Sequence, residues 1–168
     1  MVRERTHVAK ERGRIVVEPR EQEPAPGMKP KGLWFEVDGD WRRWCRGEMP
    51  HWVEGRPLHR VTFGSERILR ITRGMALDSF DQLYRATEHR AGYSEKYGPM
   101  HLGIRWADVA KEWDGIEIAP YLWSHRFSGP TWYYGWDCAS GVIWRPRGVR
   151  LDPIGTVPPG VDGEPTDG

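Results

Sequence analysis

The sequence has few of the features that are typical of secreted, membrane or metal-binding proteins. Its 168 residues include only two cysteines, Cys45 and Cys138, which form neither a disulfide framework nor a CxxC metal motif. Both lie among aromatic residues, so we expect buried free thiols. No run of apolar residues is long enough for a transmembrane helix, and the basic N-terminus lacks the apolar stretch of a signal peptide. We therefore expect a cytoplasmic protein with no membrane partner.

The chain also lacks an excess of either charge and the common catalytic motifs. The chain carries 25 Lys and Arg residues against 24 Asp and Glu residues, which gives no general attraction to nucleic acid or anionic lipid. It contains neither the GxxxxGK[ST] nor the GxGxxG nucleotide-binding loop. A GxSxG elbow is absent, which argues against a hydrolase triad. The histidines show no HxxxH or HxH spacing, so no metal site is predicted.

Tryptophan, in contrast, is unusually abundant, with ten residues in the chain. Each brings a large apolar area and one N–H group that needs a partner when it is buried. Ten such side chains can build a compact core from few residues. They can also line a cleft for planar rings such as bases, nicotinamide or sugars.

The length suits a single domain, which we place at residues 29–146. Residues 1–28 are charged and rich in proline near their end, which predicts a loosely ordered segment with one possible edge strand at 14–19. Residues 147–168 contain repeated proline and glycine, which predicts a disordered tail. Neither segment is expected to contribute to the core.

Within the domain, short strands and short helices follow one another without strict alternation. This favours an α+β fold, with a mixed or antiparallel sheet and a few short helices. The predicted strands lie at 32–37, at 58–63 and 68–71 with a tight turn between them, at 116–119, and within 131–144. The predicted helices follow Asp38, with Trp41, Trp44 and Cys45 on one face, and lie at 79–89 and 105–113. A capping box from Ser79 and a left-handed cap at Gly115 bound the last two. In the last of them, Trp106, Val109, Ala110 and Trp113 form the predicted buried stripe.

Four places in the sequence are candidates for a binding or catalytic site. In WYYGWDCASG, Asp137 and Ser140 either cap a turn or contact a ligand. Glu117 is a carboxylate inside the apolar strand of DGIEIAPY, where propensity does not favour it. It either faces a cleft or faces water on a half-exposed sheet. In KPKGLWFE, Gly32 allows a close backbone approach and Trp34 can stack on a ring or pack in the core. His59 shares a strand face with apolar residues, and is either structural or a ligand for a ribose hydroxyl.

Two sets of motifs resemble known proteins. KPxGLW and a closing WDxASGxxW resemble an uncharacterised family of phage and bacterial proteins, which implies no activity. More remotely, the order of elements resembles the ADP-ribosyltransferase fold. That resemblance implies that Glu117 is the late-strand catalytic glutamate and that residues 31–35 form the strand that receives nicotinamide. It also implies Arg14 as the early basic residue, and places Glu36 where many members carry Ser or Tyr.

These observations lead to two hypotheses. The first is an NAD-dependent transferase that needs no metal, uses NAD as a substrate and acts on a protein or nucleic-acid acceptor. Glu117 would stabilise the oxocarbenium-like charge, and Lys31, Gly32, Trp34, His59 and Tyr121 would bind NAD. The alternative is a non-catalytic phage-type accessory or binding protein, which docks protein or single-stranded nucleic acid on an aromatic surface. Convergence of Glu117, Trp34 and Tyr121 on one pocket distinguishes the two.

Overall fold

A computed structural model describes residues 3–159, which form an α+β domain. Its strands are β1 (Arg5–Val8), β2 (Leu33–Val37), β3 (Pro57–Thr62), β4 (Ile68–Ile71), β5 (Arg85–Glu88), β6 (Met100–Ile104), β7 (Gly115–Ile118), β8 (Ser140–Ile143) and β9 (Arg150–Thr156). Seven of them make one sheet in the order β4-β7-β8-β2-β1-β3-β9, while β5 and β6 pair separately. Only β4 and β7 run parallel within the large sheet. The predicted α+β class with a mixed sheet is therefore confirmed.

Short helices connect and cover the strands. They are α1 (Asp40–Glu48), α2 (Gly74–Tyr84), α3 (Ser94–Tyr97), α4 (Trp106–Glu112) and α5 (Trp123–Ser128), with 3-10 turns at Pro50–Trp52 and Thr131–Trp136. In the described part of the chain, no helix has both the length and the apolar character that crossing a bilayer would require.

The core is dense in aromatic rings. Phe80 of α2 and Trp106 of α4 pack with Trp132 at 5.6 and 5.9 Å between ring centroids. Trp106 is 2% exposed, as the predicted stripe of this helix requires. A smaller cluster joins Cys45 to apolar residues under Trp41 and Trp44, so the predicted inner face of α1 is correct. Both cysteines are free and buried, which confirms that expectation.

The ends of the chain differ from their predicted loose order. β1 lies between β2 and β3 in the middle of the sheet, and β9 pairs with β3 along its whole length. Both strands contain polar and charged side chains, and the sheet supplies backbone partners that a composition count does not detect. Residues 14–19 form no strand. The part of the predicted tail at 160–168 lies outside the described residues.

Several predicted local structures are also wrong. β3 and β4 do not form a hairpin, because they lie at different places in the sheet. α2 begins at Gly74 rather than near Ser79, whose hydroxyl donates to the Met75 carbonyl inside the helix. α4 ends at Glu112 with an extended cap, and Gly115 already belongs to β7. Residues 131–136 are a 3-10 helix, so β8 is the only strand within 131–144 of the described chain.

Candidate functional site

Glu117 is buried and paired with an arginine. Its side chain accepts hydrogen bonds from Arg5 at both carboxylate oxygens, from Nε at 2.5 Å and from Nη2 at 3.1 Å. Arg70 approaches the same carboxylate at 3.7 Å. The Arg5 guanidinium also lies 4.8 Å from the centre of the Phe63 ring. The Glu117 charge is therefore neutralised by side chains of the protein itself.

The sheet register also separates Glu117 from Trp34. Glu117 is opposite Gly141, and Gly141 is opposite Phe35. Residues that are directly opposite share one face of a sheet, and successive residues of a strand alternate between faces. Glu117 therefore shares a face with Phe35, whereas Trp34 lies on the other face.

The remaining predicted site residues are also dispersed. Tyr121 lines a depression near Trp123, and His59 lines a different one, where its Nδ1 has no partner among the described atoms. Lys31 pairs with Glu23 at the surface. A Cβ at Gly32 would lie too close to the Ile143 carbonyl oxygen, so the missing side chain of Gly32 lets the start of β2 pack against β8. Arg14 lies in the same depression as His59. The predicted NAD-binding set is not brought together. Glu117, Trp34 and Tyr121 do not converge on one pocket, which argues against a transferase that uses Glu117 as its catalytic residue.

Trp34, however, lines a cavity of about 320 Å³ at the centre of the sheet. β1 and β2 are paired only at Arg5 with Val37 and at Thr6 with Glu36. No further residue pair joins β1 to β2 in the described chain, and the cavity occupies the space between these two strands. Its lining comprises Thr6, His7, Val8, Lys29, Trp34, Phe35, Glu36, Trp41, Trp136, Asp137, Cys138 and Ser140.

Backbone groups of β1 point into this cavity. The Ala9 N–H donates to the Pro57 carbonyl, which orients the backbone polar groups of His7 and Ala9 toward β3. In an antiparallel sheet these directions alternate along the strand. The N–H and C=O of Val8 therefore point toward β2, where no residue of β2 is registered opposite them. The alternation thus directs one backbone donor and one backbone acceptor of Val8 toward the cavity.

His7 fixes the other side of the gap. Its Nδ1 donates to the Trp34 carbonyl at 2.7 Å, because a carbonyl oxygen can only accept. Burial lowers the pKa of His7 below its ordinary value, although this hydrogen bond partly offsets the effect. The imidazole is therefore neutral near pH 7, and its Nε2 is an acceptor.

A buried carboxylate forms the floor of the cavity and positions α1. Glu36 is 2% exposed and accepts hydrogen bonds from the Thr6 hydroxyl at 2.6 Å and from the backbone N–H of Arg42 at 2.9 Å. The Arg42 guanidinium bonds to the same group. Glu36 therefore satisfies an otherwise unpaired N–H in the first turn of α1, which fixes Trp41 at the wall of the cavity.

Two features at the rim are unusual. Asp137 has a φ of 40°, a conformation that costs energy in a residue with a side chain. Its carboxylate is shared between Lys29 at 3.8 Å and Arg126 at 3.5 Å, and is one-quarter exposed. The indole N–H of the adjacent Trp136 is buried and has no partner among the described atoms. Such unsatisfied donors are rare in proteins and need an explanation.

The thiol in the cavity is chemically inert. Burial raises the pKa of Cys138 to about 12 and that of Cys45 to about 11, so neither thiol is a nucleophile at neutral pH. Within residues 3–159, no group of three or more His, Cys, Asp or Glu side chains is arranged to hold a metal ion.

Most residues of this cavity could not be predicted from the sequence. The strand that supplies His7 and Val8 is four residues long and lies in a charged segment. Trp34, Asp137 and Ser140 are the cavity residues that the sequence singled out as possible ligand contacts, and Trp136 belongs to the same WDxASGxxW motif as Asp137. Comparisons of the chain with models of protein families, with curated proteins and with solved structures found no match.

Proposed function

We propose that the protein is an NAD-dependent ADP-ribosyltransferase whose nicotinamide site is the cavity between β1 and β2. The observation that carries this proposal is the pair of backbone groups of Val8, which point into a tryptophan-lined cavity. A carboxamide offers an oxygen acceptor and an N–H donor side by side, which complements the N–H and C=O of one extended residue. The volume of about 320 Å³ is at the lower end for ligand pockets and suits a single ring.

The aromatic walls support the same ligand. Trp34 and Trp136 are 4.9 Å apart with their planes inclined at 57°, and Trp41 lines the cavity beside them. Lys29 lies 5.6 Å from the Trp34 ring centre at the rim, where a cation can attract the phosphates of NAD. The buried indole N–H of Trp136 would find an acceptor on the ligand.

Asp137 replaces Glu117 as the proposed catalytic carboxylate. Breaking the bond between nicotinamide N1 and ribose C1′ leaves its electron pair on the nicotinamide and positive charge on the ribose. A carboxylate at the rim stabilises that charge and accepts the proton of the incoming acceptor. Asp137 lines the cavity, whereas Glu117 lies on the opposite face of the sheet and is paired with Arg5.

The test is nicotinamide release from NAD by Asp137→Asn. Asparagine keeps the size and tolerates positive φ, but it removes the charge. We expect a rate loss of roughly 10²-fold, with NAD binding measured by calorimetry nearly unchanged. Asp78→Asn, a change of an exposed aspartate on α2, should release nicotinamide at the original rate. Wild-type protein that neither binds nor cleaves NAD would overturn the proposal.

A second candidate function is the non-catalytic phage-type accessory or binding protein. It is favoured by the large aromatic side chains that α5 and the following 3-10 turn expose to solvent. In that case the cavity would bind a flat ring of the partner and would catalyse no reaction. Binding of nicotinamide or an oligonucleotide, with no cleavage of NAD under any condition, would support this function over the first.

A further inference from the structure

Three aromatic side chains around α5 form an exposed patch next to the candidate site. Trp123 is 64% exposed, Phe127 80% and Tyr134 54%. We call these three residues, together with Arg126 at their centre, the aromatic patch. Large exposed aromatic groups on a soluble domain mark interaction surfaces when they are contiguous. Phe127 and Tyr134 are in contact, with their ring centres 5.9 Å apart.

The centre of the patch is a fixed cation. The Arg126 guanidinium lies within 6.0 Å of four ring centres, at 5.3 Å from Tyr134 and 5.6 Å from Phe127, with Trp123 and Tyr121 slightly farther. It donates a hydrogen bond to the Tyr121 hydroxyl at 3.0 Å. The side chain is only 15% exposed. This cation is therefore held in place among the rings before any partner arrives.

The charge around the patch favours a polyanion. The stretch 121–136 contains no Asp or Glu, although the molecule as a whole is close to neutral. The acidic neighbours are Asp137, which shares its charge between Arg126 and Lys29, and Asp78, which faces His125 at 3.4 Å. Asp38 and Asp40 lie beside Trp123, in a depression that Arg3 and Arg43 also line. A partner that combines planar rings with negative charge complements this arrangement of rings and cations.

We infer that the aromatic patch binds single-stranded nucleic acid. Unpaired bases stack on exposed aromatic rings without regard to sequence, and phosphates are attracted to neighbouring cations. A duplex hides its base faces and offers only phosphates. A protein partner also buries aromatic residues at its interface, but it does not require a stretch without acidic residues such as 121–136.

The position of the patch adds a role for this strand. Arg126 bonds to Asp137, which lines the cavity. A nucleic-acid strand bound to the patch therefore passes beside the rim of the cavity. If the proposed transferase function is correct, the strand is its acceptor, and this part of the inference rests on that function. Binding of the strand itself requires only the patch.

The experiment is fluorescence anisotropy with a labelled oligonucleotide of about 12 nucleotides, single-stranded and as a duplex. We expect the single strand to bind more tightly than the duplex, and more weakly at about 200 mM than at about 50 mM salt. Trp123→Ala with Phe127→Ala should weaken binding roughly tenfold or more, because two stacking surfaces are lost. Both side chains are largely exposed, so the variant should remain folded.

The matched control is Tyr97→Ala, which removes a ring of equal exposure (64%) on α3, outside the patch. It should leave binding unchanged. Equal loss in the control and the patch variant, equal affinity for duplex and single strand, or no binding at all would overturn the inference. A patch variant that changes self-association but not strand binding would also overturn it. Nicotinamide release without an oligonucleotide tests the transferase separately, so failure of one proposal can be distinguished from failure of the other.

Discussion

At the scale of single residues, a carboxylate in an apolar strand has more than one explanation. Glu117 satisfies the sequence criteria for a catalytic group, since it lies on a rigid strand with branched neighbours. Its partner Arg5 is 112 positions away, so no local pattern could reveal the pair. The function of this carboxylate is therefore structural: it joins β7 to the N-terminal strand β1.

This interpretation predicts a stability defect for Glu117→Gln. Removing the charge leaves the largely buried Arg5 guanidinium without its counter-ion, which typically costs about 3–5 kcal/mol in the free energy of unfolding. Urea denaturation of the variant measures this loss directly. Nicotinamide release by the fraction that remains folded should be close to that of the wild type.

The control for this prediction changes both partners. Arg5→Met combined with Glu117→Leu removes the two charges together, and replacing a buried pair with apolar groups is often nearly neutral. We expect the double variant to be more stable than Glu117→Gln alone. A single variant with wild-type stability and strongly reduced nicotinamide release would contradict the structural role and restore Glu117 as a catalytic candidate.

At the scale of elements, the most consequential segment is β1, a strand of only four residues in the interior of the large sheet. It is the strand that connects β2 with β3. Its short overlap with β2 also creates the cavity, because the two strands pair at two positions and then diverge. One element therefore provides both the continuity of the sheet and one wall of the cavity.

Truncation tests the structural part of this conclusion. A chain that begins at Ala9 loses β1, so β2 and β3 lose their common neighbour and Glu117 loses Arg5. We expect loss of the cooperative thermal transition, monitored by circular dichroism and tryptophan fluorescence. The full-length variant with Lys10→Ala and Arg12→Ala changes exposed residues just beyond β1 and should unfold like the wild type. An unchanged midpoint for the truncated chain would mean that β1 is dispensable.

At the scale of the whole molecule, Asp114 connects three distant segments. It is 1% exposed, accepts a hydrogen bond from the backbone N–H of Arg67 at 3.0 Å, and pairs with Arg145 at 2.8 Å and Arg147 at 2.9 Å. Burial by itself would raise the pKa of Asp114, but these three donors lower it below the ordinary value. The start of β7 is thereby fixed to the segments before β4 and after β8.

The lowered pKa of Asp114 predicts how stability depends on pH. Between the folded and the ordinary pKa, the unfolded chain binds more protons, so stability rises with pH. The contribution is complete above the ordinary Asp value near 3.9 and is lost as the pH falls through the folded value. Asp114→Asn should therefore be less stable than the wild type at pH 7, and the difference should shrink in acid.

Denaturant titrations across this pH range provide the measurement. Asp152→Asn, a change of an exposed aspartate on β9, is the matched control and should differ little from the wild type at any pH. A difference between Asp114→Asn and the wild type that stays constant down to strongly acidic pH would show that the charge of Asp114 does not stabilise the fold.

The sequence by itself determined the class of the fold and several elements. Hydrophobic alternation identified β2, β3, β4 and β7 because each strand has branched or aromatic residues at close spacing. Helical spacing identified the inner face of α1 and the buried Trp106. These features depend on neighbours within a few positions, and local patterns contain that information.

The tertiary structure alone decided which residues meet. Whether β4 pairs with β3 or with β7, whether Glu117 faces a ligand or Arg5, and where β1 and β2 diverge all depend on contacts between distant parts of the chain. A strand shows the same alternation whichever neighbour it takes, and a shift of one residue in register moves a side chain to the other face. The cavity with His7, Val8 and Asp137 is a product of that register, so it became visible only when the strands were placed side by side.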